Sequence, residues 1–518
     1  MGPKKHGVIA AGHPQTAEAG KLILQEGGNA FDAALACLLA SFVVESTLTS
    51  LGGGGFFLAH TSDHKSILFD FFCQTPQQRK TNSPINFYPV ELDFGGATQT
   101  FHIGLGSIAI PGNIAGVFKV HETLGKLPLK IIAEPAINYA KNGFKINQFQ
   151  SYCLQLLKPI FLESLEGQKI YAPQGKLPLE GETLYLSALG DSLSLLVNEG
   201  MREFYQGEIA QNLVKDCQEK GGYLTEEDLL NYQVILRKPL QIKYRDYQLL
   251  TNPPPSSGGI LISFALKLLE KYALSQLKFG SQEYLKILAE VMSLVNDARK
   301  LDFDHQIHNH IVEDLFLSED NLKVYQQQLN QKIANKWGST THISVMDNEG
   351  NAASVTSSNG EGSSYFMAGT GIMLNNMLGE EDLNPHGFHQ WEGNHRLSSM
   401  MSPTIVLRNS KPEIVLGSGG SNRIRTAILQ VICNLVDFKM SIKEAVESPR
   451  VHWENNIFSV EPPLLRDNIN SLNLNESTKI VLWKAKNMFF GGVHGAKKND
   501  PSFEGIGDPR REGKAIIL

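Results

Sequence analysis

The chain has 518 residues, of which 42% are hydrophobic and 19% charged, and its formal net charge is −6. That composition belongs to a globular protein too long for one simple core, so two domains or one large layered unit would fit. The mild acidity gives no reason to expect nucleic acid or an anionic membrane as partner.

The five cysteines, Cys37, Cys73, Cys153, Cys217 and Cys433, are scattered and form no CxxC pair. They predict core packing rather than a disulfide framework or a metal site, and a reducing compartment fits. Basic residues near Met1 are followed only by the short apolar run Val8-Ile9-Ala10-Ala11, too brief for a signal core. No stretch approaches the roughly twenty apolar residues needed to span a bilayer. The expectation is a cytoplasmic protein with no membrane or nucleic-acid partner.

In chain order, Ala17 to Ala40 has helical periodicity, with Ala19, Ile23 and Leu24 on one face and Gly27-Gly28 dividing it into two helices. The run Gly52 to Gly55 permits close backbone approach, and it lacks the GK[ST] ending of a phosphate loop. Ser66 to Phe72 alternates as a strand that Gln74-Thr75-Pro76 ends. Ile110 to Gly116 opens a helix with Pro111 near its first turn. Thr225, followed by Glu226, Glu227 and Asp228, reads as a capped helix start. Asn252 to Gly259 is a stiff turn before a helical stretch reaching about Lys300. Asn321 to Trp337 reads as an amphipathic helix loosening into an exposed segment.

The stretch Gly338-Ser339-Thr340-Thr341-His342-Ile343-Ser344-Val345-Met346-Asp347 is a hydroxyl-rich joint running into a buried strand. Asn348 to Asn351 is a hairpin turn whose Asn and Gly residues supply positive φ, and Ala352 to Ser358 is the return strand. Farther on, a strand over Glu413 to Leu416 meets a helix beginning near Arg423 through Gly417-Ser418-Gly419-Gly420-Ser421. Backbone N–H groups at such a junction can point outward unobstructed.

Several of these blocks carry a resemblance to one family. TTHISVMD, NEGNAASVT and GTGIMLNN resemble the start of the small subunit of γ-glutamyltranspeptidases, N-terminal-nucleophile hydrolases made as one chain and cut by themselves before a threonine. EGGNAFDAALACLLASFVVE and LGGGGFFL resemble the opening of the large subunit. The likeness runs from about Ala10 to Arg510.

The resemblance implies a four-layer αββα sandwich cut between Ser339 and Thr340 into a large chain, 1–339, and a small chain, 340–518, which remain associated as one unit. It implies Thr340 as nucleophile. A chain-terminal threonine offers Oγ as nucleophile and its own α-amine as base, since such an amine titrates near about 7.7–8.0. The family's oxyanion glycines carry onto Gly419 and Gly420. The family loop has a proline before that pair; here one residue is missing there and Asn422 is added behind. Ser358 falls where the family has a threonine that bonds the nucleophile's amine. Ser398 and Ser399 match the paired serines that contact substrate carboxylate, offset by an extra methionine before Met401-Ser402-Pro403. Glu380 is the nearest match to the aspartate that holds the substrate's α-ammonium, with Glu381 and Asp382 as neighbours. The loop from Asn359 to Ser364 is shorter than the family's, and Asn359 is its candidate substrate contact. No cofactor or metal is required.

The largest departure is Phe72. The family pattern has arginine directly after the Asp-Phe pair, gripping the α-carboxylate of the glutamyl group, and an apolar ring cannot make that bidentate contact. With the rewritten Asn359–Ser364 loop, the sequence looks closer to the family's acylase-like branch, which resembles cephalosporin acylases. The expected function is γ-glutamyl transfer or glutathione hydrolysis. The alternatives are a glutaryl-type acylase and an uncut, inactive binding partner.

Overall fold

The computed structural model describes residues 6–79, 84–93, 98–309, 311–325, 339–384, 386–464, 472, 474 and 478–518. Two β-sheets lie face to face between helices. The first sheet has seven strands, in the spatial order Lys514–Ile517, Gly7–Ala11, Thr341–Asp347, Ala352–Ser358, Gly54–His60, Ser66–Phe71 and Ile235–Arg237. The second has six: Ser502–Ile506, Gly492–Asn499, Lys411–Gly419, Thr404–Arg408, Tyr247–Thr251 and Leu240–Tyr244. Neighbours in both sheets are antiparallel.

Period-two alternation explains the layering. In the first sheet Ile9, Phe57, Phe69, Ile343, Val345 and Val355 pack with the helices Pro14–Gln25, Ala30–Val44, Asn113–Leu124 and Leu129–Asn142. Their neighbours Val8, Phe56, Leu58, Leu68 and Met346 join the inner core with Ile405 and Val415 of the second sheet. The helices Ser257–Leu269, Gln282–Ala298 and Arg423–Val436 cover the other side of that sheet. The result is the expected αββα sandwich.

The centre of the sheet-to-sheet contact is polar and closely satisfied. Ser354 Oγ donates to Leu416 O at 3.1 Å and Ser344 Oγ to His494 O at 3.0 Å. The His342 ring bonds Thr356 Oγ1 at 2.8 Å and Ser344 Oγ at 2.9 Å. Burial, with His494 beside it, holds that imidazole well below its usual pKa, so it is neutral. A Cβ on Gly417 would lie 2.3 Å from the His342 ring, which is why glycine stands at this crossing. His342 is therefore a packing residue.

Most expected elements appear, with informative differences. The predicted helical pair is Pro14–Gln25 and Ala30–Val44, with Gly27 at φ +90 between them. The second is buried along its whole length and begins with a capping box of Asn29 and Asp32. In the hairpin only Gly350 has positive φ; the flanking asparagines do not, because Asp347 Oδ1 closes the turn by accepting from the N–H groups of Glu349 and Asn351. Pro111 precedes the cap of helix Asn113–Leu124 rather than entering its first turn. The stretch expected to be helical to Lys300 is two helices, Ser257–Leu269 and Gln282–Ala298, with Gly280 at φ +73 between them. Thr225 caps Glu226–Leu230 in a full capping box with Asp228. Of the segment expected to loosen before Thr340, residues 319–325 are helical and 326–338 lie outside the described residues. All five cysteines are buried.

The C-terminal region is fixed by a buried ionic cluster. Asp508 Oδ2 accepts from Arg450 Nη2 at 2.7 Å and from Val493 N at 2.8 Å, and Arg510 joins Asp508 to Glu461. The two arginines hold the Asp508 carboxyl far below the usual carboxylate range despite its burial. Removing one partner leaves buried charge uncompensated, so Asp508→Ala is expected to cost about 3–5 kcal/mol, read as a lowered unfolding midpoint in denaturant.

Candidate active site

The site forms where strand Thr341–Asp347 begins. Two buried contacts on opposite sides of the chain hold this start in place. Thr341 Oγ1 donates to Glu45 Oε2 at 2.5 Å, and Thr16 Oγ1 donates to Glu45 Oε1 at 2.6 Å. Arg511 Nη1 donates to the carbonyl of Thr340 at 2.9 Å. Arg511 is in turn placed by the cluster around Asp508, one short turn earlier.

Between these anchors the Ser339–Thr340 junction lies in a specific geometry. Thr340 Oγ1 donates to Ser339 O at 2.7 Å and approaches Ser358 Oγ at 3.4 Å. Ser358 Oγ also donates to Ser339 O, at 2.5 Å. Ser339 N donates to Glu361 Oε1 at 3.0 Å. Three side chains thus hold the backbone of Ser339, and its carbonyl receives two hydroxyl donors. Thr340 is 5% exposed, so the joint is largely shielded from water.

Glycines make this approach possible. A Cβ on Gly419 would lie 2.0 Å from Thr340 O and 2.7 Å from Arg511 Nη1. Gly420 has φ +123, a conformation that side-chain-bearing residues rarely adopt. The strand runs on through Gly419, which pairs with Gly492, so the junction before helix Arg423–Val436 is shorter than the sequence suggested.

A narrow cleft of about 50 Å³ opens beside the joint, lined by Phe72, Ser339, Thr340, Ser358, Glu361, Glu380, Asp382 and Ser399 among others. A ligand site ordinarily offers about 300–1,000 Å³, so the cleft as it stands is too small for one. No Lys, Arg or His is among the described lining residues. Burial first, and then the neighbouring Glu380 carboxyl, push Glu361 well above the usual carboxylate range. Burial and Asp382 push Glu380 up as well.

The sequence-selected residues divide by position. Thr340, Ser358, Ser339, Glu380, Ser399 and Phe72 share the cleft wall, while Gly419 lies behind Thr340. Ser398 turns away: its hydroxyl bonds Ser257 Oγ at 2.7 Å and lines a separate cavity with His305, His308 and Trp391. Asn359 is buried against Leu374 O at 3.4 Å and does not line the cleft. Phe72 stacks on Phe56 with ring centroids 5.5 Å apart. The nearby Arg396 does not replace an arginine at position 72, because its guanidinium bonds Phe72 O and Gln233 O and lies 3.3 Å from Asp70.

Sequence reasoning missed Glu361, Glu45 and Arg511. Glu361 had a weak signal, a lone acid among Gly360, Gly362 and serines just past Ser358. Glu45 and Arg511 had none, since they lie 296 and 171 positions from the residues they bond. Among the described residues no cluster of His, Cys, Asp and Glu is arranged to hold a metal ion, and no helix is long and apolar enough to cross a membrane.

Comparison with known proteins agrees with this geometry. The Gamma-glutamyltranspeptidase family profile matches residues 16–518. The glutathione hydrolase proenzyme of Escherichia coli is 30% identical, over 98% of this chain and 90% of that protein. The acylase ACY 1 proenzyme of a Pseudomonas species is also 30% identical, over 88% of this chain and 84% of that protein. Among solved structures, the cephalosporin acylase from Bacillus halodurans superposes with a TM-score of 0.86 at 23% identity, covering 99% of this chain and 96% of that one, a likeness that bears on the fold. The chain belongs to the γ-glutamyltranspeptidase family, and it is an enzyme of amide acyl transfer like the glutathione hydrolases and acylases it resembles.

Proposed function

We propose that this chain cuts itself between Ser339 and Thr340 into segments 1–339 and 340–518, and that the freed Thr340 then transfers acyl groups from γ-glutamyl-type amides to water or an amine. The observation that carries the reading is Thr340 Oγ1 held 2.7 Å from the carbonyl oxygen of Ser339, with Ser358 Oγ donating to the same oxygen. In the first step Oγ1 bonds the Ser339 carbonyl carbon, the C–N bond breaks, and the hydroxyl proton passes to the Thr340 nitrogen. Ser358 stabilises charge developing on the Ser339 oxygen. Water then hydrolyses the ester, leaving a carboxylate on Ser339 and a free amine on Thr340.

The same atoms serve the second reaction. The amine takes the proton of Oγ1 as that oxygen attacks a substrate amide, and an acyl ester forms on Thr340. Gly419 and Gly420 are the oxyanion donors in this reading. Withdrawal of Ser339 leaves room beside Glu380, Ser399 and Phe72 for the acyl group. The name proenzyme carried by the relatives supports the two-chain product.

The cleft's lining favours an acyl group bearing an α-ammonium. Glu361, Glu380 and Asp382 line it and no described Lys, Arg or His does, so a carboxylate would meet only hydroxyls there, such as those of Ser399 and Ser421. A γ-glutamyl anilide is therefore expected to exceed the corresponding glutaryl anilide in kcat/KM by about tenfold or more, from charge-assisted hydrogen bonds worth about 1.5–3 kcal/mol. Chromogenic assays of the two substrates measure this directly. Faster glutaryl hydrolysis would turn the assignment to the acylase reading, which the apolar Phe72 favours.

A further inference from the structure

Glu361 lies on the far side of the scissile unit from Thr340, and the loop is shaped to deliver it there. Gly360 at φ +61 and Gly362 at φ +90 curl the chain. Asn376 Oδ1 fixes the curl by accepting from Glu361 N at 3.0 Å and Gly362 N at 3.2 Å. Glu361 Oε1 then receives the N–H of Ser339 at 3.0 Å, from a side chain only 2% exposed. Its other oxygen, Oε2, and Glu380 Oε1 are buried without a donor from the described residues, and the two carboxyl groups are hydrogen-bond neighbours. Two carboxyl groups can bond each other only by holding a proton between them.

We propose that Glu361, buried beside Glu380, is a positioning residue for self-cleavage: it clamps Ser339 N–H so that the Ser339 carbonyl stays on Thr340 Oγ1 and Ser358 Oγ. The inference rests on the assignment of Thr340 as the self-cleaving residue. One carboxyl does two things here. Its carbonyl oxygen accepts from Ser339, and its hydroxyl donates to Glu380. Glutamine reproduces both functions, with Oε1 as acceptor and the amide N–H as donor. Alanine reproduces neither.

The clamp also has a consequence once the bond is cut. Ser339 then ends in a carboxylate beside the Glu361–Glu380 pair, whose one shared proton leaves it one negative charge, and like charges in a buried site repel. The new chain end is driven out of the cleft by the pair of carboxyls that had held it in place.

The charged groups that act on this pair are few. Asp382 of the 379–384 segment acts on Glu380, and Arg423, at the start of helix Arg423–Val436, acts on Glu361. Loss of the shared proton at alkaline pH sets the two carboxylates against each other and loosens the hold on Ser339.

The test is a time course of fragment formation from freshly purified uncut wild type, Glu361→Ala and Glu361→Gln, followed across pH. Glu361→Ala is expected to slow cleavage by about tenfold or more, as befits a buried hydrogen bond lost beside the reacting unit. Glu361→Gln is expected to cut near the wild-type rate at neutral pH, and the ratio of its rate to wild type rises as pH increases. Wild-type speed in Glu361→Ala would overturn the proposal. So would a Glu361→Gln protein as slow as the alanine variant yet melting like wild type. A wild type that never cuts would instead overturn the assignment of Thr340, so the two failures are distinct.

Discussion

Thr340→Ala is expected to remain one uncut chain and to lose acyl transfer by about a millionfold, the order seen when a nucleophile is deleted from a catalytic unit. The substitution removes Oγ1, and with it the group that attacks the Ser339 carbonyl and later the substrate. It leaves the anchors of the strand in place. Arg511 bonds the backbone carbonyl of Thr340, and Glu45 bonds the hydroxyl of Thr341. The folded state is therefore expected to lose no more than about 1 kcal/mol, the worth of one hydrogen bond. Gel analysis, an amidase assay and a denaturant melt on the same preparation separate lost chemistry from lost structure.

Gly419→Ala is expected to have the second largest effect, through position rather than chemistry. Its new Cβ would stand 2.0 Å from the Thr340 carbonyl oxygen and 2.7 Å from Arg511 Nη1. The first is backbone and the second a fully buried guanidinium, so neither neighbour yields easily. Thr340 must shift, and a misplacement of about 1 Å at a reacting centre costs about a hundredfold in rate. Self-cleavage should slow by about that factor, while overpacking costs about 1–3 kcal/mol of stability. The measurement is the cleavage time course beside a melt. An uncut variant that has also unfolded would assign the loss to the fold instead.

The sequence revealed the fold because its signals are local. Alternation in Thr341–Asp347 and Ala352–Ser358, the glycine break at Gly27-Gly28 and the Thr225 capping box each need only a few neighbouring residues. The four layers came instead from the resemblance to the γ-glutamyltranspeptidases, and the alternation then shows which strand faces meet. The hairpin turn was less legible, since Asp347 does with side-chain hydrogen bonds what the asparagines were expected to do with positive φ. The site was half legible. Thr340, Ser358 and Ser399 stood out as hydroxyls in matched blocks, and the cleft gathers them. Ser398 and Asn359 did not join them, because Ser257 and Leu374 capture their side chains, and no sequence pattern reports which way a loop residue turns. Glu45 and Arg511 were illegible for a different reason. Each reaches the joint from a distant part of the chain, so only the closed sandwich brings them within hydrogen-bond range. Phe72 was readable as a departure, but the cost of changing it was not, since that depends on its stacking against Phe56 and on Arg396 being held by Asp70.

The most direct test of the account is the N-terminal residue of any smaller fragment that forms when purified wild-type protein is incubated and separated under denaturing conditions. The account predicts a fragment of residues 340–518 beginning at Thr340, with the rest of the chain ending at Ser339. A chain that stays intact on prolonged incubation, or a fragment that begins at any other residue, would contradict it.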